Sequence, residues 1–419
     1  MQARRAALAG ILALLPLSAA GGSACAQFAP PEAAPAPIVG VLGWSDAIDP
    51  QIMDAYAQET GQRIVYDTYD SEAGLEARLA RDKKAFDLAI VPARLLPRLI
   101  AANQLQKLDR AVVASARDAW PDFAAKLAAF DPGSQYALVH MWFWYGLAYD
   151  IKLAAERLPE PQMASWDVLF RQENYKKFAS CGMQLPDDAD LMLPIALLAQ
   201  RLAPDLRGPP DLKRAADLAA RLRGGGAEFT ASGAAGALAD GEICLAVLPA
   251  RDAELAMVRA KANDPPHDIG FAMPKEGAPL ALDVLVVLKD APHVADAMRF
   301  AAYLSRPDIA ARNSRFTHFA NGVLASRALL PADERANRLA WPDDDTLKRL
   351  VLVPLPDPGL RKAIDREWLK VKTGSYEPEP GKASGKSSAK SPAKARNGDD
   401  KGTGPGSRPQ KSPLGKPGG

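Results

Sequence analysis

Strand-like and helix-like patterns of apolar residues alternate along the first half of the chain. Continuous or alternating apolar runs predict strands over residues 38–43, 62–69 and 86–91. Apolar residues at helical spacing predict helices over residues 50–61, 71–83 and 97–109. Gly61 and Ser71 are residue types typical of a helix end and a helix start. Strand–helix–strand units of this length predict an α/β fold with an open, mainly parallel sheet.

A second group of apolar segments begins near residue 136. Residues 136–150 alternate with a period of two, which places Trp142 and Trp144 on one face of a strand. Helices are predicted around residues 190–222. Two further apolar strands follow, one before a charged turn at Arg251 and one at the end of the extended passage 269–291.

Three aspartates stand at the edges of these apolar strands. Asp46 follows the first strand in the sequence Trp44-Ser45-Asp46, Asp252 follows a later strand, and Asp283 lies within the last one. Ligands of open α/β sheets bind beyond the carboxyl ends of the strands. Each aspartate alone is more often a turn or capping residue, but together they predict a shared ligand cleft.

The N-terminus, residues 1–26, predicts an export signal. Two arginines precede an apolar stretch that ends in Ala24-Cys25-Ala26, a small-x-small cleavage site, so cleavage is expected near Ala26. Cleavage before a lipidated Cys25 is the alternative. We favour soluble export to the periplasm because no large aliphatic residue directly precedes that cysteine.

Composition separates a central body from its flanks. Residues 27–36 form a Pro/Ala spacer, and residues 375–419 form a Lys/Ser/Pro/Gly-rich tail that is predicted to be disordered. The chain has a net charge of +2, but the basic residues are concentrated in the leader and the tail, so the body is mildly acidic. The basic total therefore gives no reason to expect a nucleic-acid partner. The tail is interpreted as a solvated end, with attraction to anionic surfaces as the alternative.

Two cysteines remain once the leader is removed, Cys181 and Cys244. In an oxidising compartment they are expected to form a disulfide. Two buried free thiols are the alternative.

An ordered series of short motifs resembles the periplasmic putrescine/spermidine-binding proteins, the solute receptors of bacterial ABC importers. The similarity runs from about Ile38 to Gly374. The motifs, in chain order, are WSDAIDP, ETGQRIVYDTYDS, FDLAIV, LQKLD, SWDVLF, KFASCGM, ADGEICLAV, MPKEGA, DV at 283–284, YLSRPDIAA, FANGVLAS and REWLKVKTG.

The resemblance implies a two-lobed periplasmic-binding-protein clamshell of type II-like architecture. Lobe 1 would comprise residues 37–139 and 277–325, and lobe 2 residues 140–276 and 326–374. The lobes would be joined by crossovers near 138–148 and 270–280. The family's disulfide would fall on Cys181 and Cys244.

The resemblance also implies a diamine in the cleft, held by carboxylates at its ends and by aromatic rings along its methylenes. The positions that match the family's site are Trp44, Ser45, Asp46, Asp252, Asp283 and Phe319. A second group of candidates consists of Arg94, Trp144, Tyr145 and Asp190.

Four residues depart from the family's site: Ala47, Pro249, Ala281 and Leu191. They replace aromatic rings and one acid, which widens the cleft and weakens its negative field. Our hypothesis is that Trp144 and Tyr145 fill the vacated volume. Hinge packing unrelated to a ligand is the alternative.

The resulting functional prediction is a monomeric receptor that binds a polyamine and delivers it to an ABC permease in the inner membrane, without a cofactor or a metal. The second hypothesis is that the receptor binds a different amine or an amino-acid-like ligand, since Arg94 and Arg251 flank the cleft. A sensor or scaffold without transport is a third. An enzyme is not expected, because the four histidines have no metal-ligand spacing and no nucleophile motif occurs.

Overall fold

The computed structural model of the protein describes residues 38–111 and 120–377. The strands are β1 (Ile38–Gly43), β2 (Arg63–Thr68), β3 (Leu88–Pro92), β4 (Ala137–Asp150), β5 (Met183–Pro186), β6 (Ala227–Thr230), β7 (Leu245–Pro249), β8 (Ile269–Ala272), β9 (Ala278–Val287), β10 (Ala320–Asn321) and β11 (Leu350–Leu352). The helices are α1 (Pro50–Thr60), α2 (Glu72–Arg81), α3 (Leu96–Ala101), α4 (Pro121–Leu127), α5 (Ile151–Ala155), α6 (Glu160–Met163), α7 (Asp167–Phe170), α8 (Gln172–Phe178), α9 (Ala189–Ala199), α10 (Pro209–Gly224), α11 (Ala234–Ala239), α12 (Ala250–Ala262), α13 (Val294–Leu304), α14 (Pro307–Thr317), α15 (Ala332–Ala336), α16 (Asp344–Arg349) and α17 (Arg361–Thr373).

The strands form two parallel groups joined by long antiparallel strands. Their order is β2-β1-β3-β9-β4-β7-β5-β6, with β8 and β10 paired to β4 and β11 paired to β9. β1 runs parallel to β2 and β3, and β5 runs parallel to β6 and β7. β9 is antiparallel to both β3 and β4. The predicted α/β class and two-lobed clamshell are confirmed.

β4 belongs to both lobes. Up to Trp144 it pairs with β9, and from Tyr145 onward it pairs with β7 and then with β8. We call the part built on β1, β2, β3 and β9 the first lobe, and the part built on β5–β8 the second lobe. The change of partner thus falls five residues after the lobe boundary predicted at residue 139.

The return crossover lies between β8 and β9, within the predicted range 270–280. Gly277 in this segment has φ +102°, and a Cβ there would lie 2.9 Å from the carbonyl oxygen of Arg349. β11 pairs with β9, so residues 350–352 join the sheet of the first lobe, although the prediction assigned them to the second. The predicted leader, spacer and most of the tail lie outside the described residues.

Local sequence explains where the helices of the first lobe begin and end. Asp49 accepts a hydrogen bond from the N–H of Gln51 at the start of α1, and Gly61 ends that helix in the left-handed conformation at φ +73°. The hydroxyl of Ser71 accepts from the N–H of Gly74 at the start of α2. The caps at Gly61 and Ser71 agree with the sequence prediction, and the cap at Asp49 was not predicted.

The alternation predicted for residues 136–150 is present at residues 142–145 of β4, but a register shift lies between Val139 and Met141, and residues 146–150 are all buried. Trp142 and Trp144 are buried in the core on one face of the strand. The indole N–H of Trp142 donates to the backbone oxygen of Asn321 at 2.9 Å. Phe143 and Tyr145 are half-buried on the opposite face.

Two local predictions were wrong. The helix expected over 97–109 ends at Ala101, because Asn103 adopts φ +52° and Leu105 then forms an extended bridge to Leu288. The charged turn expected at Arg251 is instead the first turn of α12. Pro249 at the N-cap position is compatible with this helix start, since the N–H it lacks has no intrahelical partner there and the residue before it, Leu248, is in the extended conformation that proline favours.

The disulfide between Cys181 and Cys244 is confirmed, with Cα atoms 5.5 Å apart. It joins the chain just before β5 to the chain just before β7, where Met183 and Leu245 pair. The bond therefore fixes the register of two neighbouring strands of the second lobe. Among the described residues, no helix is both long enough and apolar enough to cross a bilayer.

Replacing both Cys181 and Cys244 with Ser should destabilise the second lobe. The bond closes a loop with a sequence separation of 63 residues, and removing such a constraint on the unfolded chain costs about 4 kcal/mol on the loop-entropy model. Urea unfolding of the oxidised protein and of the double variant measures this difference. Equal midpoints would show that the bond adds no stability.

Candidate functional site

A cavity of about 540 Å³ lies between the two lobes. β1, β3, β4 and β9 deliver residues to it from the first lobe, and the starts of α9 and α12 deliver residues from the second. Its charged lining consists of the carboxylates Asp46, Glu72, Asp188, Asp190 and Asp283 and the guanidinium groups Arg94 and Arg251. Because acids outnumber bases, the cavity favours a cation.

Asp283 lies in the middle of β9, opposite Pro92 of β3 and Met141 of β4. Its side chain is buried and accepts a hydrogen bond from the indole of Trp44. Trp44 packs against Tyr69 with ring centroids 4.3 Å apart. The turn after β1 and the middle of β9 therefore meet at one carboxylate.

Burial raises the pKa of Asp283 to about 7. The Trp44 hydrogen bond and the charge of Arg94 lower the pKa, whereas the negative charges of Glu72 and Asp46 raise it. Among the described residues, no basic side chain forms an ion pair with this carboxylate. A ligand cation that paired with Asp283 would thus compensate a buried charge that the protein leaves uncompensated.

Asp46 differs from Asp283 because it already has a cationic partner. The Nη1 atom of Arg251 lies 3.1 Å from a carboxylate oxygen of Asp46. The same guanidinium lies over the ring of Phe319, 4.7 Å from its centroid. Arg251 belongs to the second lobe and its two partners belong to the first, so the contacts cross the cleft.

Arg94 forms the second ion pair of the cavity. Its Nε atom lies 2.7 Å from Glu72, and its Nη1 atom lies 3.9 Å from Asp190 in the second lobe. Asp190 also accepts a hydrogen bond of 2.8 Å from Arg361 of α17. The charges of Glu72 and Asp190 are therefore largely compensated within the protein.

Asp188 serves both the fold and the cavity. It is the N-cap of α9, and its Oδ1 atom accepts from the N–H of Asp190 at 2.8 Å. Burial raises the pKa of Asp188, which the charge of Arg94 opposes. Asp188 is consequently a second, weaker candidate for pairing with a ligand cation.

Three aromatic rings form one wall of the cavity. Phe143 stacks on Phe319 with centroids 4.8 Å apart, and Tyr145 meets Phe143 edge to face at 5.6 Å. Burial raises the pKa of Tyr145, so its hydroxyl stays protonated and able to donate a hydrogen bond. These rings offer apolar surface to the methylene chain of a ligand.

Eight of the ten candidate ligand residues line the cavity: Trp44, Ser45, Asp46, Arg94, Tyr145, Asp190, Asp283 and Phe319. Asp252 and Trp144 do not. Asp252 lies in the first turn of α12 beside Arg251, and burial raises its pKa. Its neighbour Arg251, not Asp252 itself, faces the cavity.

Trp144 packs at the hinge and does not line the cavity, as the alternative interpretation predicted. Its indole N–H donates to the backbone oxygen of Leu339 at 2.9 Å, and its ring packs on Phe271 with centroids 4.7 Å apart. The hypothesis that it fills vacated cleft volume is therefore wrong. Tyr145, on the other face of β4, does line the cavity.

The four departures from the family's site also separate into two groups. Ala281 and Leu191 line the cavity. Ala47 does not: it is fully buried in the core of the first lobe, where its carbonyl accepts hydrogen bonds from His140 and Asn313. Pro249 is likewise absent from the cavity lining.

Among the charged and aromatic residues of the cavity lining, sequence reasoning missed Glu72, Asp188, Phe130 and Phe143. Glu72 and Asp188 stand at helix starts, where an acidic residue is explained by capping alone, so their types gave no functional signal. The alternation placed Phe143 on the same face of β4 as Tyr145, but it did not indicate that this face lines the cavity.

No group of three or more His, Cys, Asp or Glu side chains within residues 38–111 and 120–377 is arranged to hold a metal ion. The five carboxylates are instead distributed around the cavity, and three of them are paired with arginines. The arrangement suits an organic cation, with Asp283 for its ammonium group and the aromatic wall for its carbon chain.

Comparison with known families identifies the kind of protein. Residues 51–337 match the family of bacterial extracellular solute-binding proteins. The chain belongs to this family.

Two relatives and one solved structure extend the match. The chain is 31% identical to the putrescine-binding periplasmic protein SpuD of Pseudomonas aeruginosa, over 82% of this chain and 94% of SpuD. It is 32% identical to the putrescine-binding periplasmic protein PotF of Escherichia coli, over 80% of this chain and 91% of PotF. The structure of a spermidine/putrescine substrate-binding protein, PotD of Streptococcus pneumoniae, has a TM-score of 0.69 at 20% identity, covering 81% of this chain and 99% of that one. The last comparison supports the two-lobed fold.

Replacing Asp283 with Asn should stabilise the empty protein at high pH. The carboxyl titrates at about 7 in the folded protein and at 3.8 in a model peptide. The folded state therefore holds an extra proton between these values, and stability falls as the pH rises through this window. We expect the variant to match the wild type near about pH 4 and to exceed its free energy of unfolding by on the order of 2–4 kcal/mol at about pH 8.

Urea unfolding across this pH range measures the effect. Asp345→Asn is the matched control, because Asp345 is an exposed carboxylate remote from the cavity. A stability difference between Asp283→Asn and the wild type that does not change with pH would contradict the raised pKa.

Proposed function

We propose that this protein is the periplasmic solute receptor of an ABC importer and that its ligand is a small aliphatic amine. The relatives point to a short polyamine, and the arginines of the cavity point to an amine that also carries a carboxylate. The ligand binds between the lobes, and the closed, monomeric receptor docks on an inner-membrane permease. Export by the N-terminal signal, with cleavage near Ala26, brings it to the periplasm. It binds and releases its ligand without chemical change, a cofactor or a metal.

The observation that carries the proposal is the buried, ion-pair-free carboxylate of Asp283 in an acidic cavity with an aromatic wall. An ammonium group next to Asp283 forms a charge-assisted hydrogen bond in a site largely withdrawn from water. The methylenes that follow it contact Phe143 and Tyr145. The putrescine-binding relatives support an aliphatic amine as the chemical class.

The cations of the cavity favour a second candidate ligand, an amine that also carries a carboxylate. Arg94 and Arg251 both line the cavity, from the first and second lobes respectively. A guanidinium binds a carboxylate through two parallel hydrogen bonds. Such a ligand would still place its ammonium group on Asp283.

Calorimetric titration with putrescine, cadaverine, spermidine, agmatine and basic amino acids tests the proposal. We expect saturable binding of at least one of these amines. Its affinity should rise about tenfold between about pH 6 and pH 8, because Asp283 must lose its proton to pair with an ammonium. In buffers of different ionisation enthalpy, binding near neutral pH should release a proton.

Asp283→Asn identifies the residue responsible. Losing one charge-assisted hydrogen bond should weaken binding by about 10- to 100-fold and should remove the pH dependence. Asp345→Asn is again the control and should bind like the wild type. Absence of binding by every amine at both pH values would refute an amine receptor, and unchanged binding by Asp283→Asn would remove that residue from the site.

A further inference from the structure

The guanidinium of Arg251 occupies a position built for a cation. It lies between a carboxylate oxygen of Asp46 at 3.1 Å and the face of the Phe319 ring at 4.7 Å. A carboxylate on one side and an aromatic face on the other are the two groups that hold an alkylammonium in a binding site. All three residues line the interlobe cavity that also contains Asp283.

Arg251 also joins the lobes as a ligand in the cleft would. It belongs to the first turn of α12 in the second lobe, whereas Asp46 follows β1 and Phe319 precedes β10 in the first. The pairing of β10 with Trp142 and Met141 fixes Phe319 next to the aromatic wall. The side chain of Arg251 thus supplies one cation and one lobe-to-lobe contact from within the protein.

One donor of this guanidinium is unused. The Nε atom of Arg251 is buried, and it has no hydrogen-bond partner within the part of the chain that the structure describes. Buried N–H donors in proteins nearly always have an acceptor. An acceptor on the ligand, placed beside Arg251 in the cavity, would satisfy this donor.

We propose that Arg251 fills the place of the second ammonium group of a diamine and thereby sets the ligand preference of the receptor. Asp283 remains available to pair with one ammonium group. Asp46 is not available, because Arg251 already neutralises the charge of Asp46. A diamine that pairs with Asp283 and extends toward Asp46 must bring its second charge next to this guanidinium or displace it. A ligand with one ammonium group and an acceptor, such as a carboxylate, at its other end meets complementary groups at both ends. This inference rests on the proposed amine receptor and specifies its substrate class.

Three four-carbon amines form a matched test set: putrescine, n-butylamine and 4-aminobutanoate. They share the chain length and one ammonium group, and they differ only in the other end, which is cationic, apolar or anionic. For the wild-type protein we expect the order of affinity 4-aminobutanoate, then n-butylamine, then putrescine. Calorimetric titration of each at about pH 8 keeps Asp283 ionised.

Arg251→Gln should reverse this order. Removing the tethered cation frees Asp46, so the affinity for putrescine should rise about tenfold or more, and that for 4-aminobutanoate should fall about tenfold. The affinity for n-butylamine should change by less than about threefold, because its far end contacts neither charge. Arg251→Met is the second variant. It keeps apolar contact with Phe319 and should give the same reversal if the charge is the cause.

Arg259→Gln is the matched control, since Arg259 lies on the same helix and pairs with Asp240 away from the cavity. It should bind all three amines like the wild type. Thermal unfolding of each variant confirms that the fold is retained. If the wild type binds an amine but neither Arg251 variant gains affinity for putrescine, the inference is overturned and the amine receptor stands. If no amine binds to any variant, the receptor proposal and this inference are overturned together.

Discussion

The antiparallel pairing of β4 with β9 positions Asp283 and Phe143 in the cavity and, through β7, the helix that bears Arg251. β9 carries Asp283 between Pro92 and Met141, and the facing stretch of β4 carries Phe143. At Tyr145 the same strand leaves β9 and joins β7, which ends at the helix that bears Arg251. The carboxylate, the aromatic wall and the guanidinium therefore hold their relative positions through backbone hydrogen bonds between central strands.

Charge compensation then distinguishes the acids of the cavity from one another. Asp46, Glu72 and Asp190 have arginine partners, whereas among the described residues no basic side chain pairs with Asp283, whose partner is the indole of Trp44 and whose pKa is raised. A cleft that is acidic by composition thus offers one strong position for an external cation. The number of carboxylates is a poor guide to ligand charge, because the ion pairs that cross the cleft decide how many of them are free.

Much of the fold could be predicted from the residues. The alternation in β4, the strands 38–43 and 86–91, and the caps at Gly61 and Ser71 follow from side-chain periodicity and from backbone preferences. One error came from backbone conformations and a strand-like contact that replaced the helix expected from the periodicity. The helix expected through residue 109 ends early because Asn103 takes a left-handed conformation and Leu105 bridges to Leu288.

The site was harder to predict because its properties depend on which acidic side chain pairs with which basic one in three dimensions. Sequence located Asp46 and Asp283 at strand edges, but nothing in it indicated that Arg251 reaches across to the first of them and not to the second. Glu72 and Asp188 were hidden for another reason, since a helix start accounts for an acid without any ligand. Trp144 and Tyr145 were both candidates for the cleft, with hinge packing as the alternative, although adjacent residues of a strand point to opposite faces and only one of the two rings can face the cleft.

The two faces of β4 also bear on how this protein can diversify. Met141, Phe143 and Tyr145 line the cavity, while Trp142 and Trp144 anchor the core through indole hydrogen bonds to backbone oxygens. Exchanges at Phe143 and Tyr145 would change the aromatic wall and leave Trp142 and Trp144 in place, whereas Met141 is also buried in the core of the first lobe. Along this strand, natural selection can therefore explore new specificities at little expense in folding.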